Sequence, residues 1–197
     1  MSFSRYRATD LTIFAVILAV FEFVASRAAL SFASQPYSIS VTSAVTCIVF
    51  MRWGLFGCIH AVLGGFVYCL SSKGSEVQFA VYMVGNLFAA IALLILKVFG
   101  SDRVKGSLWL SMLLPVSTAL LMQLGRGLVA VVLGSSPGAI ADFILTDVLS
   151  GVFAVVIVLI TRRLDGVFEN QKAYLVRVNR REESEEAVED VYEGQSI

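Results

Sequence analysis

Residues 108–133 read LWLSMLLPVSTALLMQLGRGLVAVVL, twenty-six positions whose one charge, Arg126, stands between Gly125 and Gly127. About 20 apolar residues in helical conformation cross the hydrocarbon of a bilayer, so the stretch reads as a transmembrane helix. A guanidinium at membrane depth is costly and normally faces a protein interior. The stretch therefore predicts both a span and a polar partner for Arg126 on a neighbouring helix. The glycines on either side leave the backbone open to close approach.

The rest of the chain repeats the pattern. Its 197 residues are 57% hydrophobic and 15% charged, with a mean hydropathy of +0.82. That composition excludes a water-soluble domain and implies a polytopic membrane protein. Apolar segments at about 10–33, 37–53, 54–71, 79–99, 108–133 and 139–163 predict an all-α bundle of six transmembrane helices. The first run is too long for a signal-peptide core and reads as a retained span. Only Arg52-Trp53-Gly54 separates the second and third segments. A tight helical hairpin is expected there, with a broken or re-entrant segment as the alternative. The chain divides into a short N-terminal segment (1–9), a membrane domain (10–164) and a tail (165–197) that is amphipathic, then acidic.

Charge is segregated, although the formal net charge is zero. Seven acids and no bases fall between Glu182 and Ile197. With six spans, Arg5, Arg7, Arg52, Lys97, Arg103, Lys105, Arg162 and Arg163 lie on one side, whereas the opposite loops offer only Lys73, with Arg27 near a span end. The positive-inside rule then predicts that both termini are cytoplasmic. The loops Ser31–Tyr37, Ser71–Gln78 and Gly134–Gly138 would face outward, and their lengths leave no room for an external domain.

Glu22, Arg27, Arg126, Asp142 and Asp147 interrupt apolar runs at one depth, in the outer half under that topology. Each is a candidate for a polar pocket. Thr12, Ala15, Ala19, Glu22, Ser26 and Ala29 recur at spacings of three and four and share one helical face. Such a small-residue stripe serves either packing inside the bundle or docking of another membrane subunit. A cross-helix partner such as Arg126 is expected for Glu22. Arg126, whose planar fork suits a carboxylate or phosphate, is the leading ligand contact; a buried pair with Asp142 or Asp147 is the rival explanation. Asp142 is read as capping or facing water, and Asp147 as the deeper pocket candidate. Gln78, Tyr82 and Asn86, four apart, form a polar face that Tyr68 extends, either for a ligand or as a buried amide network. His60 is expected to make a helix–helix bond. Cys47, Cys58 and Cys69 read as small core residues.

The chain has no Gly-Lys dipeptide and hence no P-loop. It also lacks H-E-x-x-H, CxxC and G-x-S-x-G, so neither an enzyme nor a bound cofactor is expected. No internal repeat or arginine ladder supports an inverted-repeat transporter or a voltage sensor.

Three short motifs carry a family resemblance: Ala15-x-x-x-Ala19, Met51-Arg52-Trp53-Gly54-Leu55-Phe56-Gly57, and Asp165-Gly166-Val167-Phe168-Glu169-Asn170-Gln171. With the six-span pattern over about residues 10–178, the chain resembles the substrate-binding S component of an energy-coupling factor vitamin transporter. The resemblance implies a subunit that binds a vitamin or related micronutrient from outside. It implies docking through Ala15 and Ala19 on a transmembrane coupling subunit that carries two ATP-binding subunits. It places ligand contacts at Gln35, Tyr37, Tyr82, Asn86, Gln123, Arg126, Asp142 and Asp147. Partners would be the ligand, those subunits and the lipid bilayer, not nucleic acid. The alternatives are a membrane scaffold of the rod-shape determinant type and a stand-alone secondary transporter.

Overall fold

A computed structural model of the chain describes residues 3–31 and 39–181, and the described part is all-helical. The helices are α1 (Phe3–Ser31), α2 (Thr42–Trp53), α3 (Gly57–Ser72), α4 (Glu76–Asn86), α5 (Leu93–Phe99), α6 (Ser101–Gly106), α7 (Leu108–Val132), α8 (Ala139–Thr146) and α9 (Val148–Thr161), followed by α10 (171–181). A 3₁₀ stretch, Leu87–Ala92, joins α4 to α5. Four helical stretches among the described residues are long and apolar enough to cross a membrane: Phe3–Ala28, Thr42–Ser72, Glu76–Phe99 and Leu108–Val132. The pair α8 and α9, bent by 44° at a break, makes a fifth.

The stretch Thr42–Ser72 is not one rod. The backbone turns at Gly54, whose φ of +60° lies in the region that favours glycine. The chain then doubles back, and a Cβ added to Gly64 would stand 2.2 Å from the Thr42 hydroxyl. A Cβ on Gly57 would meet the Phe50 ring at 2.3 Å. Glycine at both positions lets α2 and α3 lie in direct backbone contact as an antiparallel pair. All 12 residues of α2 are buried, so it is the central rod of the bundle. At 1.5 Å per residue it covers about 18 Å, and the 16 residues of α3 about 24 Å. Both fall short of the roughly 30 Å of bilayer hydrocarbon, which is why the count of full-length spans is lower than the six predicted.

The bundle has two ends. The near end holds the start of α1, the turn after α2, α6 and α10; the far end holds residues 39–41 and the connections 73–75 and 133–138. The near end is closed by a buried ion pair. Arg52 donates through Nε and Nη2 to Asp10 at 2.9 and 2.5 Å, a bidentate geometry. Its Nη1 reaches the carbonyls of Gly166 and Val167, the latter at 2.8 Å, and Trp53 Nε1 also donates to Asp10. Residues that the sequence assigns to the tail are therefore built into the bundle. Phe168 is wholly buried beside Met51, Leu114 and Val158, and Gln171 is buried with its amide on the Gly166 carbonyl and its Oε1 accepting from Tyr6. Removing the guanidinium by Arg52→Ala leaves the Asp10 carboxylate without its charge partner, and a loss of about 3–5 kcal/mol is expected, read as a lowered Tm.

Glu169 fixes α10. Its carboxylate accepts from Gly166 N at 2.7 Å, from Arg177 at 2.9 Å, and pairs with Lys105 at 3.0 Å. Burial pushes its pKa up, but the Lys105 and Arg177 contacts outweigh it and hold the group below its ordinary value near 4.5. A depressed carboxylate stabilises fully above its unfolded value and loses that contribution as pH falls through the folded one. Amide protection of 171–181, taken relative to the intrinsic exchange rate at each pH, is therefore expected to fall as pH drops below about 4.5, and Glu169→Gln to show the lower protection already at neutral pH.

Candidate functional site

A close crossing of α4 and α7 builds the site. A Cβ on Gly125 would stand 2.2 Å from the Gly85 carbonyl, and one on Gly85 would stand 2.6 Å from the Arg126 backbone. On the other flank, a Cβ on Gly127 would stand 2.6 Å from Ile140 Cα of α8. Both glycines beside Arg126 are thus used, one toward each neighbouring helix. Asn86, next to Gly85, lies where α4 gives way to the 3₁₀ stretch.

From this crossing Arg126 reaches several partners. Its Nε donates to Asn86 Oδ1 at 2.7 Å, and its Nη1 donates to Gln123 Oε1 at 3.2 Å and Asp147 Oδ2 at 3.3 Å. The guanidinium lies 4.5 Å from the centre of the Tyr82 ring, within cation–π range. Tyr82 in turn stacks on Tyr68 with centroids 4.6 Å apart. Asn86 is anchored by its own amide, which donates to the Ala61 carbonyl at 2.8 Å. Asp147 occupies the break between α8 and α9 and accepts from Gln123 Nε2, from Arg126 and from Ser150 Oγ. All these polar residues are at least nine-tenths buried except the tyrosines.

The network runs on to α1. Ser150 Oγ accepts from Ser40 N at 2.9 Å, and Ser40 Oγ donates to Glu22 Oε2 at 2.9 Å. The same oxygen accepts from Val41 N and Thr42 Oγ1, both at 3.0 Å. Glu22 thus caps the N-terminus of α2 from another helix, where the helix dipole favours an anion. The expected direct pair of Glu22 with Arg126 does not form; the hydroxyls of 40–42 intervene. Among the described residues, three buried oxygens, Glu22 Oε1, Ser43 Oγ and Thr46 Oγ1, have no hydrogen-bond partner. An apolar cavity of about 230 Å³ lies between α7 and the α8–α9 bend, with Ala119, Gly151 and Val152 on its walls and Gln123 and Asp147 against it.

Of the residues singled out for ligand contact, Tyr82, Asn86, Gln123, Arg126 and Asp147 come together. Asp142 does not: it is exposed on α8, where its backbone carbonyl accepts from Thr146. Gln35 and Tyr37 lie outside the described residues. Gln78 leaves the polar face of α4, because its side chain and that of Ser75 form the reciprocal capping box that starts the helix. Ala15 and Ala19 are half-buried at the edge of the inward face of α1, whose centre is held by Leu18, Glu22 and Ser26. His60 binds α3 to α1 through Nε2 and the Leu11 carbonyl at 3.0 Å. Ser150, which shares a helical face with Asp147 by its spacing, joins it, whereas Ser40 and the capping role of Glu22 escaped the sequence reading; the signal available was the run Ser40-Val41-Thr42-Ser43 opening a segment expected to be apolar.

The arrangement offers a carboxylate, a guanidinium, two amides and an aromatic ring, with no group of three or more His, Cys, Asp or Glu among the described residues placed to hold a metal. It is suited to binding and orienting a polar ligand. Comparisons with family models, curated proteins and solved structures find no match to this chain.

Asp147→Ala leaves Arg126 buried without its counter-ion, and a loss of about 3–5 kcal/mol is expected in thermal melts. The double variant Asp147→Ala with Arg126→Met removes both charges and is expected to recover part of that loss, since an apolar replacement of a whole buried pair is often tolerated.

Proposed function

We propose that this membrane protein is the substrate-binding subunit of an energy-coupling factor-type importer, taking a vitamin or related micronutrient from outside and passing it inward with a separate ATP-driven module. The observation that carries the proposal is the convergence of Tyr82, Asn86, Gln123, Arg126 and Asp147 from α4, α7 and the α8–α9 break on one buried spot. Burying such groups in an apolar bundle costs stability, and intramembrane ionisable residues are retained mainly where they serve a ligand or ion. The unpartnered Glu22 Oε1 supplies an acceptor for a ligand bearing a basic or hydroxyl group. The stacked Tyr68 and Tyr82 rings offer a flat surface to a ring system.

In this reading α2 and α3 count as two membrane passes in a thinned hairpin, giving six passes with both termini cytoplasmic. The near end carries Arg5, Arg7, Arg52, Lys97, Arg103, Lys105, Arg162 and Arg163, the pattern of a cytoplasmic face. The chain lacks an ATPase motif, so energy would come from the coupling subunit and its two ATP-binding subunits, docked along α1 at Ala15 and Ala19. One observation favours a scaffold of the rod-shape determinant type instead: Arg126, Asp147, Gln123 and Asn86 already satisfy one another.

Native mass spectrometry of the gently purified chain separates the two. A bound mass of vitamin size, lost in Arg126→Ala while the fold survives a thermal melt, is the expected result. A chain that stays empty after incubation with a vitamin mixture would favour the scaffold. Large residues at Ala15 and Ala19 are expected to abolish assembly with the coupling subunit and leave that bound mass in place.

A further inference from the structure

The near end holds a second site, unrelated to the buried network. Where α9 leaves the apolar part of the bundle, Arg162 and Arg163 follow one another and point different ways. Arg162 turns inward and donates to the carbonyls of Lys105 at 2.6 Å and Gly106 at 2.8 Å. These are neutral acceptors, so its charge is uncompensated by any carboxylate among the described residues. Arg163 is exposed and makes no ion pair among them.

Arg163 lines two adjoining hollows. One, of about 620 Å³, is walled by Asp102, Lys105, Arg162, Glu169 and Arg177 as well as Arg163, and Asp165 approaches Lys105 at 4.0 Å and Arg177 at 3.8 Å, so bases outnumber acids four to three. The other, of about 440 Å³, is an apolar groove formed by Val156, Leu159, Ile160 and Leu164 along α9. Val156, Ile160 and Leu164 are all exposed. A cationic hollow at the end of an apolar membrane helix, continuous through one arginine with an apolar groove, has the chemistry of an anionic amphiphile. Basic pockets between membrane helices on the cytoplasmic side take phospholipid head groups.

We infer that this end of the chain binds an anionic phospholipid, its phosphate over Arg163 in the basic hollow and an acyl chain along Val156, Ile160 and Leu164. Lys105 and Arg177, already bridged by Glu169, frame the head group, and Arg162 adds its uncompensated charge from below. The site ties the lipid to the junction of α6, α9 and α10.

The test is native mass spectrometry of the delipidated full chain titrated with dioleoyl phosphatidylglycerol or dioleoyl phosphatidylcholine. The anionic lipid is expected to bind at least about fivefold more tightly, and Arg163→Ala to weaken it by about fivefold, the worth of one surface base, while leaving phosphatidylcholine unchanged. Ile160→Trp, which fills the groove from an exposed position, is expected to weaken the anionic lipid with the charges intact. Equal affinity for the two lipids would overturn the inference, as would Arg163→Ala binding like the unaltered chain or Ile160→Trp retaining full affinity. Displacement of the lipid by millimolar glycerol phosphate would assign the hollow to free phosphate esters instead.

Discussion

The carboxylate of Asp147 accepts from Gln123, Arg126 and Ser150, and through Ser150 it is coupled to Ser40 and Glu22. Every helix that meets in the far half of the bundle is tied to this chain of contacts. Its physical basis is the expense of leaving a charge unsatisfied at low dielectric, far larger than the gain from any single apolar contact. The glycine crossing of α4 and α7, the break between α8 and α9, and the capping of α2 by Glu22 all bring a partner within hydrogen-bonding distance. The apolar packing fills in around that polar path and does not choose it.

The near end is organised by the same rule with different parts. Asp10 and Arg52 pair bidentately, and the leftover Nη1 of Arg52 gathers the carbonyls of Gly166 and Val167. The chain after α9 is thereby drawn in, and Phe168 is delivered to the core. The two ends differ in how completely they are satisfied. The near-end pair uses its donors on protein atoms, whereas the far network leaves Glu22 Oε1 without a hydrogen-bond partner among the described residues.

The sequence exposed the buried cluster because a charged residue inside an apolar run has few places to go. Arg126 and Asp147 were legible on that ground alone, Tyr82 and Asn86 on their shared helical face, and Gln123 through the family resemblance. Partners were less legible, since a hydrogen bond between helices leaves no spacing in the chain. Glu22 satisfies the dipole of α2, and only the fold shows that the start of α2 lies beside it. Gln78 shares a helical face with Tyr82 but belongs to a cap, which the Ser75-x-x-Gln78 spacing itself announces. Asp10 passed as a residue of the membrane boundary, and Phe168 as part of a tail, because local hydropathy carries no record of what a distant arginine will gather. The number of passes was less legible for a similar reason: α2 and α3 are apolar enough to be spans but short, and only mutual burial makes a pair of them.

The complete burial of α2 bears on how the protein is made. A helix with no outward face has nothing to offer lipid, and its hydroxyls at Thr42, Ser43 and Thr46 would be poorly solvated there. It cannot settle in the bilayer ahead of its neighbours. Its seat is complete only when α1 supplies Glu22 to its first turn, α3 folds back along it, and α7 and α9 close the remaining sides. The native surroundings of α2 therefore exist only once α1, α3, α7 and α9 all stand around it.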